Sequence, residues 1–282
     1  MIVNIAGYRF VDLPDRDEIQ GQLLDYCTES GLKGSILISP NGINFSLAGS
    51  SEAIDSFINH IEEDERFIGI PLKFSYTDYQ PFRRMLVKKK KEIISLGIDE
   101  IKPANFTAPH VSPRELKRML DDGEEVILVD TRNDYETRLG TFVGALDMKI
   151  PTFRDFPDAL AKLPDSLRSK KIVTYCTGGI RCEKASVVMI KDGFENVMQL
   201  EGGILAYFEE CGDSHWTGDC FVFDQRVALD HNLAETSYEV CFKCRQPLSM
   251  DEQKSENYQI NQYCPYCRDS SPTATKSTNS HL

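Results

Sequence analysis

The run Cys176-Thr177-Gly178-Gly179-Ile180-Arg181-Cys182 constrains this chain more than any other stretch. An apolar segment, KIVTY, leads into it, and EKASVVMIKDGF, with helical periodicity, follows it. A strand that turns at once into a helix leaves unpaired backbone N–H groups at the helix N-terminus, facing the turn. Gly178 and Gly179 let the backbone curl, so that further N–H groups point inward and form a nest for negative charge. Arg181 adds a fixed cation. Such a loop favours a thiolate at Cys176, and would equally favour a persulfide anion. The helix is expected to begin near Cys182. Five residues separate the two cysteines, too many for a CxxC redox pair, so Cys182 is read as a packing residue or a resolving thiol.

The flanking chain has a βα rhythm over residues 113–212. EVILVD, KIVTYC and NVMQL are strand-like, and DYETRLG, FRDFPDALAKLP, EKASVVMIKDG and ILAYFEEC are helical. Strands this apolar fit a mostly parallel sheet buried on both faces. Ligands of such sheets sit beyond the carboxyl ends of the strands, which puts Asp130, Thr131 and Arg132 near Cys176. A helix start is marked by Ser112 as cap, Pro113 at the first position and Glu115 at the third. Residues 1–93 alternate strand–helix–strand–strand–helix–strand, a ferredoxin-like α+β pattern, with a hairpin turn at Pro40-Asn41-Gly42. Residues 94–112 carry prolines and little period and are read as a linker or capping segment. Residues 213–268 form a C-terminal extension, and 269–282 lack core-forming content and are expected to be disordered. The expected class is therefore α/β with an α+β domain in front.

The 282 residues carry a formal net charge of −12, which excludes a surface coated in positive charge for non-specific nucleic-acid binding. One patch runs the other way: Arg83, Arg84, Lys88, Lys89, Lys90 and Lys91 place six basic residues in nine positions, either a solvated strand face or phosphate contacts. Tyr79, Phe82 and Trp216 are candidates for stacking on bases, or for ordinary packing. No apolar stretch reaches membrane-spanning length and the N-terminus lacks a signal-peptide pattern, so a cytoplasmic protein is expected. In that setting nine cysteines point to metal binding and thiol chemistry rather than disulfides. Cys241-x2-Cys244 and Cys264-x2-Cys267, nineteen residues apart, are two knuckles that can surround one tetrahedral zinc ion, a structural site with no open coordination position. Cys27, Cys211 and Cys220 are read as packing residues.

VDTRNDYE (129–136), CTGGIRC and VMQLEGGILAY (197–207) resemble a rhodanese domain. That resemblance implies a persulfide-bearing cysteine at Cys176, cradled by Thr177, Gly178, Gly179 and Ile180, with Asp130 and Arg132 organising the pocket. ILISPNGINFSLAG, FRRMLVKKKKEII and the paired CxxC segments extend the likeness over almost the whole chain. The whole resembles the bacterial rhodanese-like tRNA uridine(34) hydroxylase family, departing from it at Asn44-Phe45-Ser46 and in RLGTFVGALD. The resemblance implies 5-hydroxylation of the wobble uridine in the tRNA anticodon loop, with molecular oxygen as co-substrate and Cys176 and Arg181 as catalytic residues. No dinucleotide fingerprint and no iron-binding pattern is legible, so the electron donor is left open. A sulfurtransferase fed by a small sulfur donor, and a non-catalytic tRNA-binding protein, are the rival expectations.

Overall fold

A computed structural model describes residues 1–269; beyond Asp269 the expected tail lies outside the described residues. The first unit runs β1 (Ile2–Arg9), α1 (Arg16–Glu29), β2 (Lys33–Ser39), β3 (Gly42–Gly49), α2 (Ser51–Ile61), β4 (Leu72–Thr77) and β5 (Met85–Lys89). Its sheet has the order β4-β1-β3-β2-β5. The first four strands and two helices form the expected ferredoxin-like sandwich, and the basic segment adds β5 as an edge strand parallel to β2. Alternation of side chains along each strand divides the sheet into two unlike faces. Ile36, Ile38, Ile43, Phe45 and Leu47 pack with Ile19, Leu23, Ile54 and Phe57 of the helices. Asn4, Tyr8, Asn44 and Ser46 occupy the alternate positions and leave the opposite face polar. Ser50 caps α2 by accepting a hydrogen bond from Ala53 N.

The second unit runs β6 (His110–Val111), α3 (Pro113–Asp121), β7 (Val126–Asp130), α4 (Asp134–Thr137), β8 (Gly140–Phe142), β9 (Leu146–Asp147), α5 (Phe156–Leu160), β10 (Lys171–Tyr175), α6 (Ile180–Lys191), β11 (Asn196–Leu200) and α7 (Gly203–Cys211). The main sheet, β6-β11-β10-β7-β9, is parallel in every pairing. The helix after the glycine loop starts at Ile180 rather than near Cys182, directly after the left-handed Gly179 (φ 95°). DYETRLG is helical only to Thr137, because Gly140 already pairs with Gly218; a side chain there would lie 2.5 Å from the Asp219 carbonyl oxygen. Ser112 caps α3 through Glu115 N as expected, but the Glu115 carboxylate turns to Arg118 instead of closing a capping box.

Residues 94–112 do more than tether. Leu96, Ile101 and Ala108 lie in one core with Val129, Ile172 and Met189, and His110–Val111 extends the sheet beside β11. The extension continues with β12 (Trp216–Gly218), β13 (Cys220–Phe221), β14 (Ala228–Leu229), β15 (Glu239–Val240), β16 (Pro247–Leu248) and α8 (Met250–Gln253). β12 pairs with β8, so the extension is built onto the second unit.

The two units are joined by polar contacts. Lys184 of α6, with a side chain 1% exposed, donates to Glu92 of the first unit. Arg226 of the extension donates to Ser75 of β4 at 2.7 Å. Tyr8 of β1 donates to Glu183 of α6 at 3.1 Å. An ammonium as buried as that of Lys184 is tolerable only beside its carboxylate. Glu92→Ala is therefore expected to lower stability by about 3 kcal/mol. The double replacement Glu92→Leu with Lys184→Met should cost much less, as read by urea denaturation.

Candidate active site

Between the polar face of the first sheet and the strand ends of the second lies a cleft of about 1530 Å³. Cys176 forms part of its floor, together with Thr177, Gly178, Ile180 and Arg181. The turn is set by backbone contacts that only glycine permits. Ile204 N and Leu205 N of α7 donate to the carbonyls of Cys176 and Thr177, at 2.9 and 3.1 Å. The adjacent Gly203 has φ 66°, and a side chain on it would stand 2.4 Å from the Cys176 carbonyl oxygen. The EGG segment that resembled the rhodanese pattern therefore holds the cysteine loop from behind.

The Cys176 sulfur is fully buried and accepts from Gly179 N at 3.1 Å. Burial alone pushes its pKa up. A hydrogen bond from the Cys182 thiol, the nearby Arg181 charge and the backbone N–H groups of Arg181 and Cys182 outweigh burial and bring it down to about 6. Cys182 moves the other way: burial and its bond to Cys176 push its thiol well up, so it stays protonated and donates. These groups favour the thiolate of Cys176 over its thiol.

The Arg181 cation is paired with a carboxylate that the sequence did not mark. Its guanidinium forms a two-pronged ion pair with Glu136 of α4, at 2.5 and 2.7 Å, with both side chains buried. Glu136 lies at the end of VDTRNDYE but was not singled out by sequence reasoning; an acidic residue three places after an N-cap is an ordinary capping signal. Asp130 and Arg132 pair with each other and do not line the cleft. Arg132 is fully buried, donates to the Gly140 carbonyl at 2.6 Å and stands over the Trp216 ring. They brace the end of β7 from below.

Of the basic residues, Arg83, Arg84, Lys90 and Lys91 line the cleft, joined by Arg9, Lys73 and Arg154, which are scattered in sequence and gave no signal. Lys88 and Lys89 lie on β5 off the cleft lining, and Lys89 pairs with Asp17 at 3.0 Å. The stacking candidates separate too. Phe82 is on the cleft wall. Trp216 is a core residue, 7% exposed, edge-on to Phe142. Tyr79 donates to Glu235 at 2.7 Å, away from the cleft. His215 pairs with Asp121 at 2.7 Å and does not join Cys176. Tyr8 closes the loop from the other domain: its hydroxyl lies against Gly179, and burial, followed by the negative charges of Glu183 and Cys176, keeps it protonated. Glu183 also meets His110 Nε2 at 3.3 Å and accepts from Gln199 Nε2 at 3.2 Å.

The four late cysteines converge, with their sulfurs all within 4.8 Å of one another. Cys241–Cys267, Cys244–Cys264 and Cys264–Cys267 are 3.8, 3.5 and 3.7 Å apart. Four thiolates at tetrahedral zinc, each about 2.3 Å from the ion, stand roughly 3.8 Å apart, so this cluster can hold a metal ion. Cys27 and Cys220 are buried packing residues, and Cys211 is partly exposed. No helix among the described residues is long and apolar enough to cross a membrane.

Fold and loop together define a rhodanese-type cysteine site faced by a second, ferredoxin-like domain. Residues 2–93 match the UPF0176 acylphosphatase-like domain and residues 112–210 the rhodanese-like domain. A tRNA uridine(34) hydroxylase of Cupriavidus necator is 48% identical over 271 residues, covering 94% of this chain and 96% of that protein. Proteins of the same name from Ralstonia nicotianae and Burkholderia mallei are each 47% identical, covering 95% and 94% of this chain and 97% and 92% of their own lengths. The chain belongs to the tRNA uridine(34) hydroxylase family.

The thiolate has a direct signature. Ultraviolet absorbance of wild type minus Cys176→Ser should titrate with a midpoint near 6, against roughly 8.5 for an unperturbed cysteine. Arg181→Met should move that midpoint upward; an unchanged midpoint would assign the thiolate to the Cys182 thiol and the backbone N–H groups.

Proposed function

We propose that this chain hydroxylates C5 of uridine 34 in the tRNA anticodon loop, with Cys176 as the reactive group and molecular oxygen as the oxidant. The observation that carries this reading is a thiolate-holding loop at the floor of a basic-rimmed cleft, in a chain whose relatives are named for that reaction. An unpaired loop nucleotide can be turned out of its stack and presented edge-first without the unpairing cost that a paired one carries. Arg83, Arg84, Lys90 and Lys91 hold the flanking phosphates, and the polar sheet face with Asn44 and Ser46 offers hydrogen bonds to sugar and base. The N–H groups of Gly179, Arg181 and Cys182 hold the thiolate, Thr177, Gly178 and Ile180 complete the loop around it, the Arg181 side chain anchors the loop, and the Cys182 thiol stabilises the anion as donor.

In the balanced reaction the C5–H bond is replaced by C5–OH. One oxygen atom of O2 enters the product and the other leaves as water, taking two electrons and two protons from a small reductant and solvent. Cys241, Cys244, Cys264 and Cys267 would hold a zinc ion, which supplies folding energy to a segment too short and polar for a core of its own. A tRNA substrate implies work in the cytoplasm.

Nucleoside mass spectrometry tests the reading. Cells lacking the gene should lose 5-hydroxyuridine-derived nucleosides, wild-type protein should restore them, and Cys176→Ala should not. With labelled O2 the purified reaction should carry the label into the nucleoside; label arriving from water instead would overturn the role of oxygen. A separate expectation concerns binding. Replacing Arg83, Arg84, Lys90 and Lys91 by glutamine should flatten the salt dependence of tRNA affinity by roughly 0.7 to 0.9 in log–log slope for each phosphate no longer neutralised. The same change at Lys88 and Lys89 should do less.

A further inference from the structure

We infer that Phe223 is the platform on which the target base stacks, supplied to the cysteine site by the C-terminal extension. This rests on the cleft being the uridine site. The segment Cys220–Val227 has no helical or strand period, and nothing in its sequence marks Phe223 from Phe221. Their environments differ. Phe221 and Val222 are buried, at 5% and 6% exposure, whereas Phe223 is 43% exposed and faces the cleft. An exposed phenyl ring on a flexible loop would be ordinary, but this loop is tied down on every side. Val222 N donates to Val227 O at 2.9 Å, closing the turn. Asp224 and Arg226 form a buried ion pair, and Arg226 reaches Ser75 of the first domain. Gln225 N donates to Pro81 O at 3.3 Å, and Thr177 of the cysteine loop donates to Phe221 O at 3.4 Å.

The fold therefore commits several hydrogen bonds to holding an apolar ring in water. The ring is braced edge-on by Phe221 at 5.0 Å, itself edge-on to Tyr135 at 5.3 Å. The Arg181 guanidinium lies 5.9 Å from its centroid, which places it beside the loop carrying Cys176. Phe82 also lies on the cleft wall and is the rival platform, but among the described residues it lacks the edge-on ring support that Phe221 gives Phe223. The Tyr8 hydroxyl is bonded to Glu183. Phe74 pairs across the sheet with Ile5, a core residue, and so lies on the helix-covered face. A flat ring on a pre-set support binds a base through its π-face at little ordering cost, whatever the sequence around it.

Stacking predicts a dependence on ring shape that packing does not. With an anticodon stem-loop as substrate, Phe223→Ala and Phe223→Leu should each lower kcat/KM by about 5- to 150-fold. Phe223→Tyr should stay close to wild type, and all three variants should melt with the wild-type midpoint. Leucine as active as phenylalanine would overturn stacking, since it retains the apolar bulk and loses only the flat face. Phe223→Trp gives a readout that needs no turnover. Trp216 is the chain's one tryptophan and is 7% exposed, so fluorescence quenching of the new indole by the stem-loop reports contact with a base. Stem-loop binding without quenching would overturn the inference even if hydroxylation proceeds. Quenching without hydroxylation in the wild type would uphold it and remove the proposed reaction instead.

Discussion

The buried pair between Arg181 and Glu136 is the constraint on which the cysteine loop depends. Arg181 sits in the first turn of α6, so its guanidinium is carried into the interior wherever that helix starts. Left alone there it would be severely destabilising; beside Glu136 it becomes a fixed strut between α6 and α4. The strut has an electrostatic consequence for Cys176. A cation already matched by a carboxylate offers a neighbouring thiolate only part of its field. The remaining stabilisation comes from oriented dipoles: the N–H groups of Gly179, Arg181 and Cys182 and the thiol of Cys182. Dipoles of this kind cost no reorganisation when charge moves on the sulfur, which fits the role proposed for Cys176.

The second consequence concerns the partner domain. A ferredoxin-like sheet usually leaves one face without helices, and an apolar free face would bind whatever came near. Here that face carries Asn4, Tyr8, Asn44 and Ser46, and it is held over the cysteine loop by Tyr8–Glu183, Lys184–Glu92 and Arg226–Ser75. The junction is made of directional polar bonds, so it fixes distance and angle while leaving the intervening space open and wettable. Asn44-Phe45-Ser46 illustrates the division within three residues. Phe45 enters the helix-covered core, and its neighbours line the cleft.

What was legible in the sequence was what is local. The strand–glycine–helix turn, the two CxxC knuckles, the ferredoxin-like alternation and the Ser112 cap each declare themselves within a few residues. The partners of those features lie far along the chain and declare nothing. Glu136 is 45 residues from Arg181, and Asp17 is far from Lys89. Leu96, Ile101 and Ala108 enter a core at irregular spacing, so the 94–112 stretch shows no period although it is packed. Trp216 and Phe223 are the reverse of each other. A lone tryptophan in an aperiodic segment, open to stacking or packing from the sequence, is core; Phe223, two residues from another phenylalanine, carried no signal and is exposed. Single aromatics outside periodic elements carry no orientation signal, since orientation there is decided by tertiary hydrogen bonds.

The extension then has a place in the architecture that its composition hides. Trp216 and Cys220 pack in the core of the second unit, and other residues of the extension reach the site. β12 pairs with β8 beneath Arg132, Phe221 accepts from the cysteine loop, Arg226 reaches the first sheet, and Arg138 of the second unit packs on Tyr266 next to the cysteine cluster. Part of the extension is held by burial, with Phe221, Val227 and Ala228 packed against Leu139. Four cysteines converging on a metal-sized space give it a fixed end, from which the loop carrying Phe223 is stretched back across the cleft. In that arrangement a cysteine cluster able to hold a metal ion and the cleft-facing Phe223 belong to one extension.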